Sequence, residues 1–70
     1  IFFDPPFPYK FHEDLINIVS KNNLLKENGL AIIHRPAEKQ MKDNIGNLTK
    51  KDFRIYGRSI VDFYCKNPNL

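Results

Sequence analysis

The chain has 70 residues, a formal net charge of +3, and 41% hydrophobic against 27% charged residues. This length allows one small domain, and this hydrophobic content excludes a disordered chain. The single cysteine, Cys65, excludes an internal disulfide and is typical of a cytoplasmic protein. The sequence has no signal-peptide pattern and no apolar run near the ~18 residues that span a membrane, so no membrane partner is predicted.

The first element is the apolar run Ile1–Phe3, which ends at Asp4-Pro5-Pro6. Because proline lacks an amide hydrogen, two successive prolines end a strand. A short strand without polar alternation is typical of a parallel strand that is buried on both faces. Since the chain starts inside such a strand and without methionine, we expect that further residues of the protein precede Ile1; the alternative is a processed peptide.

A helix is predicted over His12–Lys21, where Leu15, Ile18 and Val19 share one face. A second apolar run, Leu30–Ile33, follows and predicts another buried strand. Strand, helix and strand in this order form a βαβ unit with parallel strands. The carboxyl ends of such strands border the ligand crevice of open α/β sheets, and the first residues after the two apolar runs are Asp4 and His34.

The remaining elements are one ambiguous segment and one hairpin. Pro36–Ile45 is compatible with a helix ended by Gly46-Asn47, or with a loop that has one helical turn. Two strand-like runs, Asp52–Tyr56 and Ser59–Tyr64, flank Gly57-Arg58 and predict an antiparallel hairpin. The sequence therefore predicts an α/β architecture in which a mostly parallel sheet ends in an antiparallel hairpin.

The chemistry of the chain is concentrated in Asp4-Pro5-Pro6-Phe7. This motif resembles motif IV of the methyltransferases that modify exocyclic amino groups. An amino nitrogen conjugated to a base ring is a poor nucleophile, and hydrogen-bond acceptors aimed at its two N–H groups orient its lone pair. The Asp4 carboxylate supplies one acceptor and the Pro5 carbonyl a second, held by the fixed φ of proline. Phe7 offers a ring on which a flipped-out base can stack.

The order of elements extends this resemblance over nearly the whole chain. An apolar strand, Asp-Pro-Pro-Phe, a helix, Asn-Leu-Leu-x-x-Asn-Gly, a second strand and Tyr-Gly-Arg-Ser-Ile-Val-Asp-Phe-Tyr follow one another. This succession is similar to the C-terminal half of the bacterial 16S rRNA guanine-N2 methyltransferase family. The resemblance implies a Rossmann-like class I methyltransferase fold, with residues 1–70 as the C-terminal part of the domain.

The resemblance also implies a cofactor, a partner and a set of site residues. The cofactor is S-adenosylmethionine, and the partner is ribosomal RNA or the small ribosomal subunit. Asp4, Pro5 and Phe7 are expected to be catalytic, while Pro6, Tyr9 and Lys10 are expected to bind substrate. The family's Gly-rich cofactor loop has no counterpart here, because the three glycines are isolated. We therefore expect a preceding half of the domain to hold most of the cofactor site.

Other interpretations lead to different expectations. Asp-Pro-Pro-Phe is shared with adenine-N6 methyltransferases, and a non-catalytic α/β module that binds RNA or another partner could keep the same fold. The spacing of His12, His34 and Cys65 fits no familiar zinc pattern, so no metal site is predicted. By itself the 70-residue chain is expected to be inactive, and to be unstable or self-associated through an open sheet edge.

Overall fold

The computed structural model describes residues 1–5 and 11–67 and contains one helix and five strands in these ranges. The elements are β1 (Phe2–Phe3), α1 (His12–Lys21), β2 (Leu30–Pro36), β3 (Asn44–Ile45), β4 (Leu48–Tyr56) and β5 (Ser59–Lys66). The strands form one sheet in the order β1-β2-β5-β4-β3. No helix in the described part of the chain is long and apolar enough to cross a bilayer.

The βαβ unit predicted from the sequence is present. β1 and β2 are parallel neighbours, and α1 has the predicted bounds. The helix buries Ile16 and Val19, which are 0% and 1% exposed, in a core with Ala31 and Ile33 of β2. Burial of apolar side chains of this size stabilises a fold by about 1.5–3 kcal/mol each, so this contact fixes α1 against one face of the sheet.

The end of α1 is defined by backbone hydrogen bonds. Leu24 N–H donates to the Val19 carbonyl at 3.1 Å, and Asn23 N–H donates to the Ser20 carbonyl at 3.2 Å. Asn23 has a φ of +49°, so these bonds form a Schellman motif with asparagine in the left-handed position. The helix therefore stops where the sequence predicts, and the chain turns back towards β2.

The sheet is mixed, and the expected mostly parallel sheet is not confirmed. Among the described strands, β1 and β2 form a parallel pair, whereas β2–β5, β5–β4 and β4–β3 are antiparallel. The hairpin around Gly57-Arg58 is present, but its second strand lies between β2 and β4. Because β5 is antiparallel to both of its neighbours, β4 runs in the same direction as β1 and β2.

The segment between β2 and β3 is not helical. Residues 37–43 form turns and irregular backbone, and β3 begins at Asn44. Met41 and Ile45 are still buried, at 6% and 5% exposure, so their four-residue spacing reflects burial from a loop and a strand. The Ala37 amide donates to the Arg58 carbonyl at 2.8 Å, a bond outside any helical ladder.

A bulge in β4 explains why this strand extends beyond the predicted range. Lys50 pairs with Tyr64 and Asp52 pairs with Phe63, so Lys51 is an extra residue between two successive pairs. A bulge of this kind moves every later side chain to the opposite face. The alternation of β4 is therefore broken in the sequence, although the strand continues from Leu48 to Tyr56.

The two faces of the sheet differ in burial. The face that packs against α1 carries the core, including Ile33, Leu48 and Tyr64, which are at most 1% exposed. Within the described residues no helix covers the other face, where Phe2 is 63% exposed. The expectation that β1 is buried on both faces is therefore wrong for this chain, and Phe2 forms part of an open apolar surface.

Candidate active site

Asp4 and His34 meet near the carboxyl ends of the two parallel strands, where Asp4 directly follows β1 and His34 lies two residues before the last residue of β2. The pairing of Phe3 with Ile33 places the next two residues side by side. Asp4 Oδ1 lies 2.9 Å from His34 Nδ1, and their side chains are 60% and 38% exposed. Because an ionised carboxylate only accepts hydrogen bonds, His34 Nδ1–H is the donor. His34 thus binds Asp4 Oδ1, and within the described residues Asp4 Oδ2 makes no hydrogen bond.

The geometry leaves Asp4 able to accept a hydrogen bond from a bound molecule. It is exposed at a sheet edge, follows a parallel strand as expected, and is held by a neighbouring ring. Pro5 lies next to it and is half-buried. The other residues that the motif assigns to the site, Pro6, Phe7, Tyr9 and Lys10, lie outside the described residues.

A buried polar network supports the end of β2. Arg35 Nε donates to Asp62 Oδ2 at 2.5 Å, and Arg35 Nη2 lies 3.4 Å from Asp62 Oδ1. Lys50 Nζ adds a second cation 3.6 Å from Asp62 Oδ1. Arg35 and Asp62 are 7% and 0% exposed, so the two charges neutralise each other away from water.

The same network holds residues 37–43 through their carbonyl groups. Arg35 Nη1 donates to the Lys39 carbonyl, and Lys50 Nζ donates to the Met41 carbonyl at 3.1 Å. Tyr64 Oη donates to the Lys42 carbonyl at 2.6 Å. Burial raises the pKa of the Tyr64 phenol, and the nearby Asp62 carboxylate adds to the effect, so the donor keeps its proton. Side chains from β2, β4 and β5 therefore fix this segment in place.

The first turn of α1 contributes a buried histidine to the same region. His12 is 2% exposed, and its pKa is lowered first by desolvation and then by the positive charges of Lys39, Arg35 and His34. Lys42 N–H also donates to Glu13 Oε2 at 2.8 Å. The start of α1, residues 37–43 and the end of β2 are thus linked to one another.

The tip of the β4–β5 hairpin lies at the same end of the sheet as Asp4, next to the last residue of β2. Ser59 pairs with Pro36 at the end of β2 and with Tyr56 at the end of β4. Gly57 has a φ of +57°, the left-handed conformation that glycine adopts without strain at the first position of a two-residue loop. Tyr56 and Arg58 consequently lie at the same end of the sheet as Asp4.

Sequence analysis found part of this arrangement. Asp4 and His34 were expected directly after two neighbouring parallel strands, which the structure confirms for Asp4. β2 continues to Pro36, so His34 lies within that strand, and the contact between the two side chains was not predicted. It did not find the Arg35–Asp62 pair, because the two residues are 27 positions apart and both lie in mainly apolar strands. Charged residues at core positions of a strand were the available signal, since isolated charges are rarely fully buried.

The described residues provide neither a metal cluster nor a cofactor loop. They contain no group of three or more His, Cys, Asp or Glu side chains that could hold a metal ion. A Cβ on Gly46 would meet Ser20 Oγ at 2.1 Å, and Gly57 forms the hairpin tip, so both glycines serve local backbone geometry. The three glycines thus offer no Gly-rich cradle for a nucleotide-like cofactor.

An exposed carboxylate directly after a parallel strand of an α/β sheet, followed by proline, agrees with the resemblance to methyltransferases drawn from the sequence. The chain belongs to the family described as conserved hypothetical protein 95, whose sequence model matches residues 1–65. This is a methyltransferase family, and the resemblance inferred from the sequence is confirmed.

One solved structure gives a comparable result for the fold. A protein described as a conserved hypothetical protein of Streptococcus pyogenes is 26% identical and superimposes with a TM-score of 0.82. The match covers 93% of this chain and 41% of that chain, so this chain spans about two fifths of its length. None of the curated proteins matches the chain.

Proposed function

We propose that this chain is the acceptor-binding part of a methyltransferase that modifies an exocyclic amino group of a nucleic-acid base. The target we propose is guanine N2 in small-subunit rRNA. Membership of a methyltransferase family supports the reaction type. The observation that supports the site is Asp4, an exposed carboxylate at the end of β1 that is held by His34 at 2.9 Å.

Each residue at this site has a defined task in the proposed reaction. Asp4 Oδ2 accepts one N–H of the base amino group, and the Pro5 carbonyl accepts the other. The amino lone pair is thereby directed away from the ring and towards the methyl donor. Since His34 binds the other oxygen of Asp4, it fixes the carboxylate rotamer and reduces the entropy lost when the base binds.

Methyl transfer is a simple displacement. When bound, S-adenosylmethionine would supply a sulfonium-bound methyl group. The amino nitrogen would attack that carbon as the C–S bond breaks, and the rest of the cofactor would leave as a neutral thioether. The nitrogen then loses one proton, for which Asp4 is the nearest carboxylate in the proposed pose. We assign no residue of this chain to cofactor binding. We propose that a preceding part of the domain binds most of the cofactor. We also propose that the protein is cytoplasmic.

A substitution at Asp4 in the complete protein tests the proposal. Asp4→Ala should abolish methyl transfer to small ribosomal subunits and leave cofactor affinity, measured by calorimetric titration, nearly unchanged. Asp4→Asn keeps one acceptor oxygen and should retain partial activity. Asp14→Ala is a matched control, because Asp14 is an exposed carboxylate in the first turn of α1. Full turnover by Asp4→Ala would rule out the role.

The modified nucleoside distinguishes the remaining alternatives. Digestion of the product RNA and mass spectrometry should give N2-methylguanosine. N6-methyladenosine would instead assign the chain to the adenine-specific enzymes that share Asp-Pro-Pro-Phe. RNA binding without any methylated product would favour a non-catalytic module. Phe7→Ala should weaken base engagement by ~1–3 kcal/mol, and Phe7→Tyr should have a small effect, because both native and tyrosine rings can stack.

A further inference from the structure

The outer end of the β4–β5 hairpin lies beside the candidate active site. β4 runs in the same direction as β1 and β2, so its last residues lie at the same end of the sheet as Asp4, where the chains of these three strands leave the sheet. The Ala37 amide donates to the Arg58 carbonyl at 2.8 Å, which ties the hairpin tip to the end of β2. The hairpin tip is therefore held at the end of the sheet where Asp4 lies.

The strand register places a cation on the same face as the catalytic carboxylate. His34 pairs with Val61, and Val61 pairs with Arg54. Asp4, His34 and Arg54 thus form a row across the sheet, three strand spacings or about 14 Å from end to end. Tyr56 is two residues beyond Arg54 on this face. A strand of nucleic acid with one base at Asp4 would pass over these side chains.

The side chains of this region match a single-stranded nucleic acid in chemistry. Arg54 is 62% exposed and Tyr56 is 60% exposed. Residues 51–58 contain three cations and one carboxylate, a net charge of +2. The carboxylate, Asp52, lies 3.7 Å from Arg54 Nε and is itself 56% exposed. An exposed ion pair of this kind contributes little stability, so a phosphate can replace Asp52 as the partner of Arg54.

We propose that residues 51–58, which we call the hairpin end, bind the single-stranded nucleotides next to the base presented to Asp4. Tyr56 stacks on a flanking base, and Arg54 and Arg58 pair with phosphates. This inference rests on the proposed function and extends it from the target base to the surrounding strand. Alternation of an aromatic ring with guanidinium groups is the arrangement by which proteins bind single strands without reading their sequence.

Binding of a labelled RNA to the complete protein tests this inference. The probe is a fluorescein-labelled 12-nucleotide oligouridylate with one central guanine, followed by fluorescence anisotropy. Tyr56→Ala should weaken binding about 5- to 150-fold, which is the stacking range for one base, whereas Tyr56→Phe should stay within about two-fold of the native protein. The thermal midpoint of Tyr56→Ala should stay close to the native one, because the ring is exposed.

The salt dependence of binding measures the phosphate contacts. Each phosphate contact to a single strand contributes about −0.7 to the slope of log affinity against log salt. Arg54→Ala with Arg58→Ala should therefore make the slope about 1.4 less steep. Lys21→Ala with Lys26→Ala is the matched control, since both lysines are exposed at the C-terminal end of α1 and in the turn before β2. This control should keep the native slope.

The outcomes separate this inference from the proposed function. If the native protein methylates RNA while the hairpin-end variants bind the probe as tightly as it does, the inference is overturned. A protein partner on the exposed Phe53 and Ile55 would then be the better interpretation. Equal loss in the Lys21 and Lys26 control would overturn it too, because binding would follow net charge alone. If the native protein methylates nothing but the hairpin-end variants still lose RNA affinity, the proposed function fails and the RNA-binding role of the hairpin end is retained.

Discussion

Arg35 and Asp62 form a diagonal ion pair on the core face of the sheet. Asp62 lies opposite Ile33 in the register, and Arg35 lies two residues further along β2 on the same face. The Arg35 Nε to Asp62 Oδ2 distance is 2.5 Å, and Asp62 is fully buried. Because Arg35 also holds the Lys39 carbonyl, the pair connects the sheet to the loop of residues 37–43.

Removal of the Asp62 carboxylate should be strongly destabilising. Asp62→Ala leaves Arg35 buried without its counterion, and loss of one partner of a buried pair costs about 3–5 kcal/mol. Urea unfolding of the complete protein, followed by circular dichroism, measures this cost. Asp52→Ala is the control, because its pair with Arg54 is exposed and is worth at most about 1 kcal/mol. Equal unfolding midpoints for the two variants would contradict a stabilising role for the buried pair.

Two glycines with similar backbone angles should respond differently to alanine. Gly46 and Gly57 have φ of +60° and +57°. A Cβ on Gly46 would lie 2.1 Å from Ser20 Oγ and 2.8 Å from Ser20 Cβ, whereas a Cβ on Gly57 meets nothing within 4 Å. Gly57→Ala should cost about 1–2 kcal/mol for the left-handed backbone alone, and Gly46→Ala should cost at least about 1 kcal/mol more for the steric clash.

A second substitution checks the cause of the Gly46 effect. Ser20 Oγ donates to Asn47 Oδ1 at 2.7 Å and accepts from the Asn47 amide at 3.0 Å, so it cannot move away without loss of both bonds. In a Ser20→Gly background the additional cost of Gly46→Ala should disappear. Thermal unfolding of the four proteins in this cycle provides the measurement. An unchanged cost would show that the clash is relieved in another way.

The elements that sequence analysis predicted correctly depend on local periodicity. The helix α1 and the apolar runs of β1 and β2 repeat at intervals that one element determines by itself. The buried face of α1 is shifted from the predicted one, because Val19 is buried as expected but Ile16 is buried in place of Ile18, which is 50% exposed. Proline and glycine at their ends mark the boundaries. For the same reason Asp4 and His34 could be placed on neighbouring parallel strands, although β2 extends past His34 to Pro36.

The features that sequence analysis missed depend on contacts between distant residues. Residues 37–43 were left open between a helix and a loop, and the loop forms because their carbonyls bind Arg35, Lys50 and Tyr64, two of which lie later in the chain. The bulge at Lys51 shifts the alternation of β4, so a period-2 pattern ends too early. Pairing of β5 with β2 likewise follows from side chains on both strands, and it gives a mixed sheet where a mostly parallel one was expected.

Stability should fall as the pH drops below the ordinary pKa of histidine, because of His12. The pKa of His12 in the folded protein lies below its ordinary value of 6.5, owing first to desolvation and then to nearby positive charge. Below pH 6.5 the unfolded chain therefore binds a proton that the folded chain does not. The stability associated with the neutral ring is present above this pH and is lost as the pH falls towards the folded-state pKa.

Urea unfolding at successive pH values measures this effect. The free energy of unfolding should decline by at most about 1.4 kcal/mol per pH unit per proton between pH 6.5 and the folded-state pKa. His12→Gln should flatten the decline even if it lowers stability throughout. His34→Gln serves as the control for the other histidine and should leave most of the decline in place. A native-like slope in His12→Gln would assign the proton uptake to another group.

The 70-residue chain by itself should self-associate and should bind S-adenosylmethionine weakly or not at all. β1 is at one edge of the sheet, and Ile1 and Phe2 are 48% and 63% exposed. An edge strand with apolar side chains is a template for pairing with another chain, because its free backbone groups and its apolar face are satisfied together. We therefore expect sedimentation velocity to show a dimer or larger species, and calorimetric titration to show no tight cofactor binding.

A charge on the open face tests whether β1 is responsible. Phe2→Glu should shift the sedimentation profile towards monomer, because association would bury the new carboxylate without a partner. Phe53→Glu is the matched control, since Phe53 is 52% exposed but lies in β4, away from the β1 edge. It should leave the association unchanged. A native chain that sediments as a stable monomer and binds the cofactor with micromolar affinity would contradict both expectations and would place a cofactor site within these residues.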